Sequence, residues 1–356
     1  MPQASTIDVT VEPLDERLME AAQRRLDRLT KPLGSLGRLE AVARQLVGIT
    51  RQARPTVERK VIITMAADHG VVAEGVSAYP QVVTAQMVAN FLRGGAGINV
   101  LARHVGARVV VVDMGVAADL APHPDLVNRK IGSGSRNLAR GPAMTRDEAA
   151  RAIRAGIELV ADEIERGVDI IGTGDMGIGN TTPSSAIAAV ITGHPVALVT
   201  GRGTGIDDAA YAKKADVIQR ALDVNCPDPA DPLDVLAKVG GFEIAGLVGV
   251  ILGGAAARRP VVIDGFISGA AALIAAALEP CATGYLIASH RSQEPGHRVM
   301  LEHLRLKPLL DLDLRLGEGT GAALAMSIVE AACKVLNEMA TFEEAAVSGK
   351  CSPSAD

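Results

Sequence analysis

The spacing of apolar residues differs between the ends and the middle of the chain. Residues 14–29 carry Leu or Ala at every third or fourth position, which predicts an amphipathic helix. A second helix is predicted over 36–50, after a turn at 31–35, and another over 321–339. Between these ends, short β-branched runs alternate with helical stretches. The runs predict six strands, at 61–64, 109–113, 169–172, 196–200, 261–264 and 285–288.

Continuous apolar strands that alternate with helices are typical of a parallel sheet covered on both faces. The sequence therefore predicts an α/β protein with a doubly wound, mostly parallel sheet of about six strands. We expect a large α/β domain over 56–299 and a small helical lobe built from residues 1–55 and 300–347. The tail over 348–356 is expected to be disordered.

The composition mainly excludes classes of binding partner. Of the 356 residues, only 2% are aromatic and none is Trp, and the net charge is −5. Proteins that bind single-stranded nucleic acid use basic grooves with stacking rings, so a nucleic-acid partner is not expected. The core must be built from small aliphatic residues, which suits helices packed closely on a parallel sheet.

Cysteine spacing and apolar runs bear on the compartment. The four cysteines form no Cys-x-x-Cys pair, which favours a reducing cytosol over a disulfide scaffold or a zinc ribbon. Residues 1–12 lack the apolar segment of a secretory signal. The most apolar run, 265–278, is too short to span a bilayer. We therefore expect a cytoplasmic protein without a membrane partner.

Each predicted strand is followed by a loop rich in Gly, Asp, His, Ser or Arg. In an open parallel sheet, ligands bind at the carboxyl ends of the strands, so these loops predict one shared site. The alternative is that each loop needs Gly for its turn and Asp or Ser to cap a helix. The loops are residues 67–70, 113–115, 174–177, 201–205, 264–266 and 289–292.

Residues 172–182 contain a Gly-x-Gly-x-x-Gly pattern after a predicted strand. Such glycines let the backbone approach a phosphate, and the following helix start supplies N–H donors. A dinucleotide site also needs an acid about 20 residues further on, and none occurs before Asp207. A single phosphate is therefore favoured, and an NAD(P)-dependent oxidoreductase is kept as an alternative. Residues 201–205 form a second glycine loop, and neither loop matches the P-loop.

Glu318 stands between glycines just before the helix predicted over 321–339. It is a candidate general base on an open turn, or an acid favoured there by the helix dipole. Of the seven histidines only His290 and His297 share a segment, and their spacing fits no usual metal site. We expect no metal and no cofactor.

Several long motifs, in this order along residues 29–347, resemble the nicotinate-nucleotide–dimethylbenzimidazole phosphoribosyltransferase family. They include a Leu-Gly-Glu-Gly-Thr-Gly motif around Glu318. The collinear order makes the resemblance specific, although no single motif would. The motifs are residues 29–40, 67–71, 93–99, 176–182, 264–266, 289–290 and 316–321.

The resemblance implies transfer of phosphoribose from nicotinate mononucleotide to 5,6-dimethylbenzimidazole, in the synthesis of the lower nucleotide of cobalamin. The products are nicotinate and α-ribazole 5′-phosphate. It implies that Glu318 removes the benzimidazole proton while the other ring nitrogen attacks C1′ with inversion. It also implies a homodimer.

Site residues are assigned by the same resemblance. The donor mononucleotide is assigned to Asp175, Gly177, Ile178, Gly179, Asn180, Thr181, Gly203, Lys214, Asp264 and Ser292, with Lys213 as the alternative to Lys214. The acceptor base is assigned to Tyr79, Gln86, Phe91 and Leu316. Asp175 stands where the family often has Glu, so contacts of that longer side chain are in doubt.

Two other interpretations remain beside the transferase. One is the NAD(P)-dependent oxidoreductase, and the other is a non-catalytic nucleotide-binding module that keeps the glycine loops but has no need of Glu318. The few aromatic rings raise a related question. Some of them, such as Tyr79 and Phe91, can line a flat slot for the acceptor, or all can serve the core.

Overall fold

Six parallel strands form one sheet in the computed structural model, which describes residues 7–348. The order across the sheet is β3-β2-β1-β4-β5-β6, and each neighbouring pair is parallel. This is a doubly wound order, and it confirms the predicted α/β class. The strands are β1 (Lys60–Ala67), β2 (Ala107–Gly115), β3 (Leu126–Asn128), β4 (Ile170–Met176), β5 (Val261–Ile263) and β6 (Leu286–Ala288).

The strand order reverses between β1 and β4. Lys60 of β1 pairs with Ala107 on one side and with Ile170 on the other. The chain builds β2 and β3 outward from β1 and then crosses to β4 on the opposite side. In such sheets the connections diverge at the reversal and leave a crevice at the carboxyl ends of the strands.

The helices among the described residues confirm the three predicted at the ends of the chain. The predictions over 14–29, 36–50 and 321–339 correspond to α1, α2 and α13. The helices are α1 (Glu16–Arg28), α2 (Arg38–Thr50), α3 (Val83–Leu92), α4 (Gly97–Val105), α5 (Arg146–Glu165), α6 (Thr181–Thr192), α7 (Val196–Val199), α8 (Asp208–Asn225), α9 (Pro232–Val239), α10 (Phe242–Ala256), α11 (Phe266–Leu278), α12 (Pro295–His303) and α13 (Thr320–Glu338).

Helices cover both faces of the sheet, which explains the continuous apolar character of its strands. In β1, Ile63 and Met65 lie in a core with α5, α10 and α11. Ile62 and Ala66 lie in a second core with α1, α2 and α13. Alternate side chains of a strand point to opposite faces, so a strand covered twice has no polar side.

The terminal helices pack on the sheet. Helix α13 contacts β1, β4 and β5 as well as α2 and α4. The boundaries of the large domain (56–299) and the small lobe stay a prediction. Residues 1–6 and 349–356, which include most of the predicted tail, lie outside the described residues. Within 7–348, no helix combines the length and apolar character needed to cross a membrane.

The strand predicted at 196–200 is wrong, because these residues form the helical turn α7. Val196 and Val199 are buried while Leu198 is 56% exposed, so the buried positions recur every three residues rather than continuously. The sixth strand is instead β3, which pairs with the outer edge of β2. It has three partly exposed residues, too few for a hydrophobic pattern to mark.

Candidate active site

A cavity of about 520 Å³ opens at the carboxyl ends of β4, β5 and β6. Its walls come from the segment after β1, from the loops after these three strands, and from the loop before α13. The lining residues are Tyr79, Val83, Met87, Asp175, Met176, Gly177, Ile178, Asn180, Thr181, Gly203, Thr204, Gly265, Phe266, Ile267, His290, Ser292, Glu294, Arg315, Leu316, Gly317 and Glu318.

Four of the six predicted loops reach this cavity, and the other two do not. Asp68 and Asp113 accept hydrogen bonds from backbone N–H groups in the turn at residues 116–117, each at 2.8 Å. His69 is fully buried and lies 2.7 Å from Glu243. Asp68 and Asp113 therefore stabilise a turn rather than cap a helix, while the loops at 174–177, 201–205, 264–266 and 289–292 line one site.

Glu318 stands on a loop whose backbone is left-handed at three consecutive residues. The φ angle is +82° at Gly317, +64° at Glu318 and +96° at Gly319. A Cβ on Gly319 would lie 2.5 Å from Cγ2 of Ile62, so only glycine fits there. Glu318 lines the cavity, and its carboxylate accepts a hydrogen bond from the N–H of Ile98, at the start of α4, at 3.0 Å. Burial raises the pKa of Glu318, and this hydrogen bond opposes the shift.

Asp264 does not line the cavity; it holds the loop that carries Glu318 through hydrogen bonds to its backbone. Its carboxylate accepts hydrogen bonds from the N–H groups of Gly319 at 3.1 Å, Gly321 at 2.7 Å and Ala322 at 3.0 Å. These groups begin α13 and have no partners within the helix. Burial, together with the nearby charge of Asp175, raises the pKa of Asp264 to about 8, and the three N–H donors oppose this.

Asp175 shares the cavity wall with Glu318. Its Oδ2 atom accepts a hydrogen bond from the Asn180 side chain at 2.9 Å, and its backbone carbonyl accepts one from the N–H of Glu318 at 3.2 Å. Burial raises the pKa of Asp175 to about 7, and the negative charges of Glu243 and Glu318 add to this shift. Near neutral pH, Asp175 is therefore poised between its two protonation states.

The turn from β4 into α6 forms the glycine-rich end of the cavity. Gly177, Ile178, Asn180 and Thr181 line it, and the positive end of the α6 dipole lies there, which suits an anion. The N–H groups of Thr182 and Ser184 already donate to the carbonyls of Gly179 and Asn180. Gly179 lies behind this wall at φ +88°, where a Cβ would come within 2.7 Å of Val72.

The two neighbouring lysines of α8 face different surroundings. Lys214 is fully buried, and its Nζ donates to Oγ1 of Thr181 at 2.8 Å and to the carbonyl of Gly201 at 3.0 Å. Burial lowers the pKa of Lys214 to about 8. Lys213 is exposed. Of the two, Lys214 is therefore the one placed against the site, directly behind residues that line it.

One wall of the cavity is apolar and is formed mainly by α3 and the segment that precedes it. Tyr79, Val83 and Met87 line it together with Leu316. The structure does not bring Gln86 or Phe91 into the lining. Because Val83 and Met87 are four residues apart, they share one face of α3. Gln86 lies on the exposed face, and Phe91 is 2% exposed in the core.

Several lining residues escaped the sequence analysis. Val83 and Met87 could have been found from their spacing relative to Tyr79. No sequence pattern indicated Glu294 as a site residue, because it lies beyond the loop predicted at 289–292. Its Oε1 atom accepts a hydrogen bond from the N–H of Gly203 at 2.8 Å. Of the rings, Tyr79 and Phe266 line the cavity, while Phe91, Phe242 and Tyr285 are buried in the core. No group of three or more potential metal-ligating side chains occurs within residues 7–348.

The raised pKa of Asp175 predicts a pH-dependent loss of stability. In the unfolded chain this carboxyl ionises near pH 4, whereas in the folded protein it ionises near pH 7. Rising pH therefore favours the unfolded state across this interval. In Asp175→Asn, which can still accept from Asn180, this loss is removed. We expect the variant to gain on the order of 3–4 kcal/mol over the wild type between pH 4.5 and pH 8.

Urea unfolding at the two pH values measures this difference. Asp119→Asn, which alters an exposed carboxylate, is the matched control and should show no such gain. An equal stability difference between wild type and Asp175→Asn at both pH values would contradict the prediction.

Comparisons with known proteins agree on one family. The family model described as phosphoribosyltransferase matches residues 11–347. The nicotinate-nucleotide–dimethylbenzimidazole phosphoribosyltransferase of Chloroflexus aggregans is 63% identical over 340 residues, covering 96% of each chain. The protein of the same name from Geobacter sulfurreducens is 60% identical over 94% of this chain and 96% of its own.

A solved structure extends the likeness to three dimensions. The crystal structure of the protein of that name from Thermus thermophilus superposes with a TM-score of 0.90 at 47% identity, over 95% of this chain and all of that one. These matches favour phosphoribosyl transfer over the oxidoreductase alternative. The chain therefore belongs to the nicotinate-nucleotide–dimethylbenzimidazole phosphoribosyltransferase family, and it is a pentosyltransferase.

Proposed function

We propose that the protein transfers the phosphoribosyl group of nicotinate mononucleotide to 5,6-dimethylbenzimidazole, in the synthesis of the lower nucleotide of cobalamin. The products are nicotinate and α-ribazole 5′-phosphate. The observation that carries the proposal is the position of the Glu318 carboxylate. Glu318 lines one cavity together with a glycine-rich turn suited to an anion and an apolar wall.

Glu318 acts as the general base. It takes the N–H proton of the benzimidazole while the other ring nitrogen forms a bond to C1′ of the ribose. The bond from C1′ to the pyridinium nitrogen breaks, and its electron pair neutralises the leaving nicotinate ring. A base with a raised pKa suits this step, because proton transfer is most efficient when the pKa lies near the working pH.

The cavity accommodates both substrates. The donor's phosphate lies against Gly177, Asn180 and Gly203, with Lys214 behind this wall. Ser292 also lines the cavity and is available to the donor. The acceptor's flat ring lies against the apolar wall of Tyr79, Val83, Met87 and Leu316. Attack from the side opposite the leaving group converts a β-nucleotide into an α-nucleotide, so the proposed reaction inverts C1′. Asp264 acts indirectly, through the loop that carries Glu318.

The activity is tested by incubating the purified protein with nicotinate mononucleotide and dimethylbenzimidazole. We expect release of nicotinate in step with α-ribazole 5′-phosphate, followed by liquid chromatography. A reaction without the acceptor measures hydrolysis of the donor. If no benzimidazole, purine or phenol gives nicotinate release above that background, the proposal is wrong.

The role of Glu318 is tested with Glu318→Gln. The amide can still accept from Ile98 but cannot take a proton, so we expect kcat to fall by at least about 10²-fold with little change in the KM for the donor. Glu302→Gln alters an exposed carboxylate and should leave both constants unchanged. A kcat near the wild-type value in Glu318→Gln would exclude Glu318 as the base.

A homodimer and a cytoplasmic location complete the proposal. Exposed large apolar side chains outside the cavity support self-association, among them Leu33 at 72% and Val82 at 56% exposure. We expect a species of twice the 36.8 kDa of one chain in sedimentation-velocity experiments at micromolar concentration. A species of 36.8 kDa at every concentration would contradict the dimer.

A further inference from the structure

His290 follows β6 and lines the cavity, yet the chemistry above gives its side chain no task. The two nitrogens of its ring have different surroundings. Nδ1 faces the protein, 2.9 Å from Oγ of Ser289 and 3.8 Å from Oδ1 of Asp264. Nε2 lies on the side of Gly265, another lining residue, where an added Cβ would be 3.4 Å from it.

The hydrogen-bond network assigns the proton of this ring. The Ser289 hydroxyl donates its single proton to the backbone carbonyl of Asp264 at 2.8 Å. The contact between Oγ and Nδ1 therefore needs its proton from the ring. Nε2 is then unprotonated and carries a lone pair. Burial lowers the pKa of His290 to about 4, so the ring stays neutral near pH 7.

Nε2 of His290 makes no hydrogen bond to any residue between 7 and 348, so an acceptor faces the cavity without a donor from the described chain. A bound substrate must supply one, since an unpaired acceptor in a closed site costs binding free energy. The phosphate and carboxylate of nicotinate mononucleotide are themselves acceptors at neutral pH. Its ribose hydroxyls are the O–H donors, and the N–H of the acceptor base is taken by Glu318.

We propose that Nε2 of His290 accepts a hydrogen bond from one hydroxyl of the donor's ribose and thereby discriminates against donors that lack that hydroxyl. This assignment rests on the proposed function. It makes His290 a specificity-determining residue, whereas His297, whose Nδ1 accepts from the N–H of Ser292 at 3.0 Å, is fully buried behind it.

Fluorine replacement of each hydroxyl tests the proposal, because fluorine keeps the size and polarity of the hydroxyl but cannot donate. The probes are the 2′-deoxy-2′-fluoro and 3′-deoxy-3′-fluoro forms of nicotinate mononucleotide, with binding measured by calorimetry. For one of the two positions, we expect the wild type to bind the fluorinated form about 10-fold more weakly than the parent nucleotide.

Two variants then separate the two edges of the ring. In His290→Asn, the amide nitrogen can replace Nδ1 beside Ser289, but nothing replaces Nε2. We expect about 10-fold weaker binding of the parent nucleotide, with no further loss on fluorination. In His290→Gln, the longer side chain can bring its oxygen to the position of Nε2, and discrimination should be largely kept. Thermal unfolding of each variant checks that the fold is intact.

The outcomes distinguish this inference from the proposed function. If the wild type neither binds nor turns over the parent nucleotide, the proposed function fails. If it does both but binds the two fluorinated forms as tightly as the parent, the inference alone is overturned, without recourse to any variant. An undiminished loss on fluorination in His290→Asn overturns it as well, because a merely structural role leaves that discrimination in place.

Discussion

The geometry of the site depends on one buried carboxylate that accepts three backbone hydrogen bonds. Asp264 ends the strand region of β5 and holds the N–H groups of Gly319, Gly321 and Ala322 at the start of α13. These bonds join the sheet to the loop that carries Glu318. Since the loop also donates to the Asp175 carbonyl and accepts from the Thr64 hydroxyl, the position of the base is set by strands β1, β4 and β5 together.

The sequence was sufficient for the fold because both faces of the sheet are covered. Burial on two sides gives strands such as β1 and β2 continuous apolar runs, for example 61–63 and 109–112, and that pattern is visible without a structure. The short edge strand β3 lacks it, and the single turn α7 imitates it with four apolar residues. Local hydrophobicity therefore identified the five buried strands and failed at the partly exposed edge strand β3 and at the helical turn α7.

The site was predictable where it consists of strand ends and not where it depends on the rotation of a helix. Asp175, Gly177 and Glu318 follow or precede elements that the pattern had located, so topology brought them together. Gln86 and Met87 are neighbours in sequence, yet α3 turns one to solvent and the other to the cavity. Asp264 ends a predicted strand, but the sequence did not indicate that both of its oxygens accept backbone hydrogen bonds at the start of α13.

The left-handed backbone at Glu318 makes the stability of the fold and the proposed reaction favour different residues at this position. Side chains other than glycine rarely adopt a φ of +64°, and burying a carboxyl there adds a further cost. Glycine at this position would relieve both costs and remove the carboxylate that we propose as the base. On that proposal, substitutions at residue 318 that stabilise the fold abolish the reaction, and only continued selection for activity retains the acid.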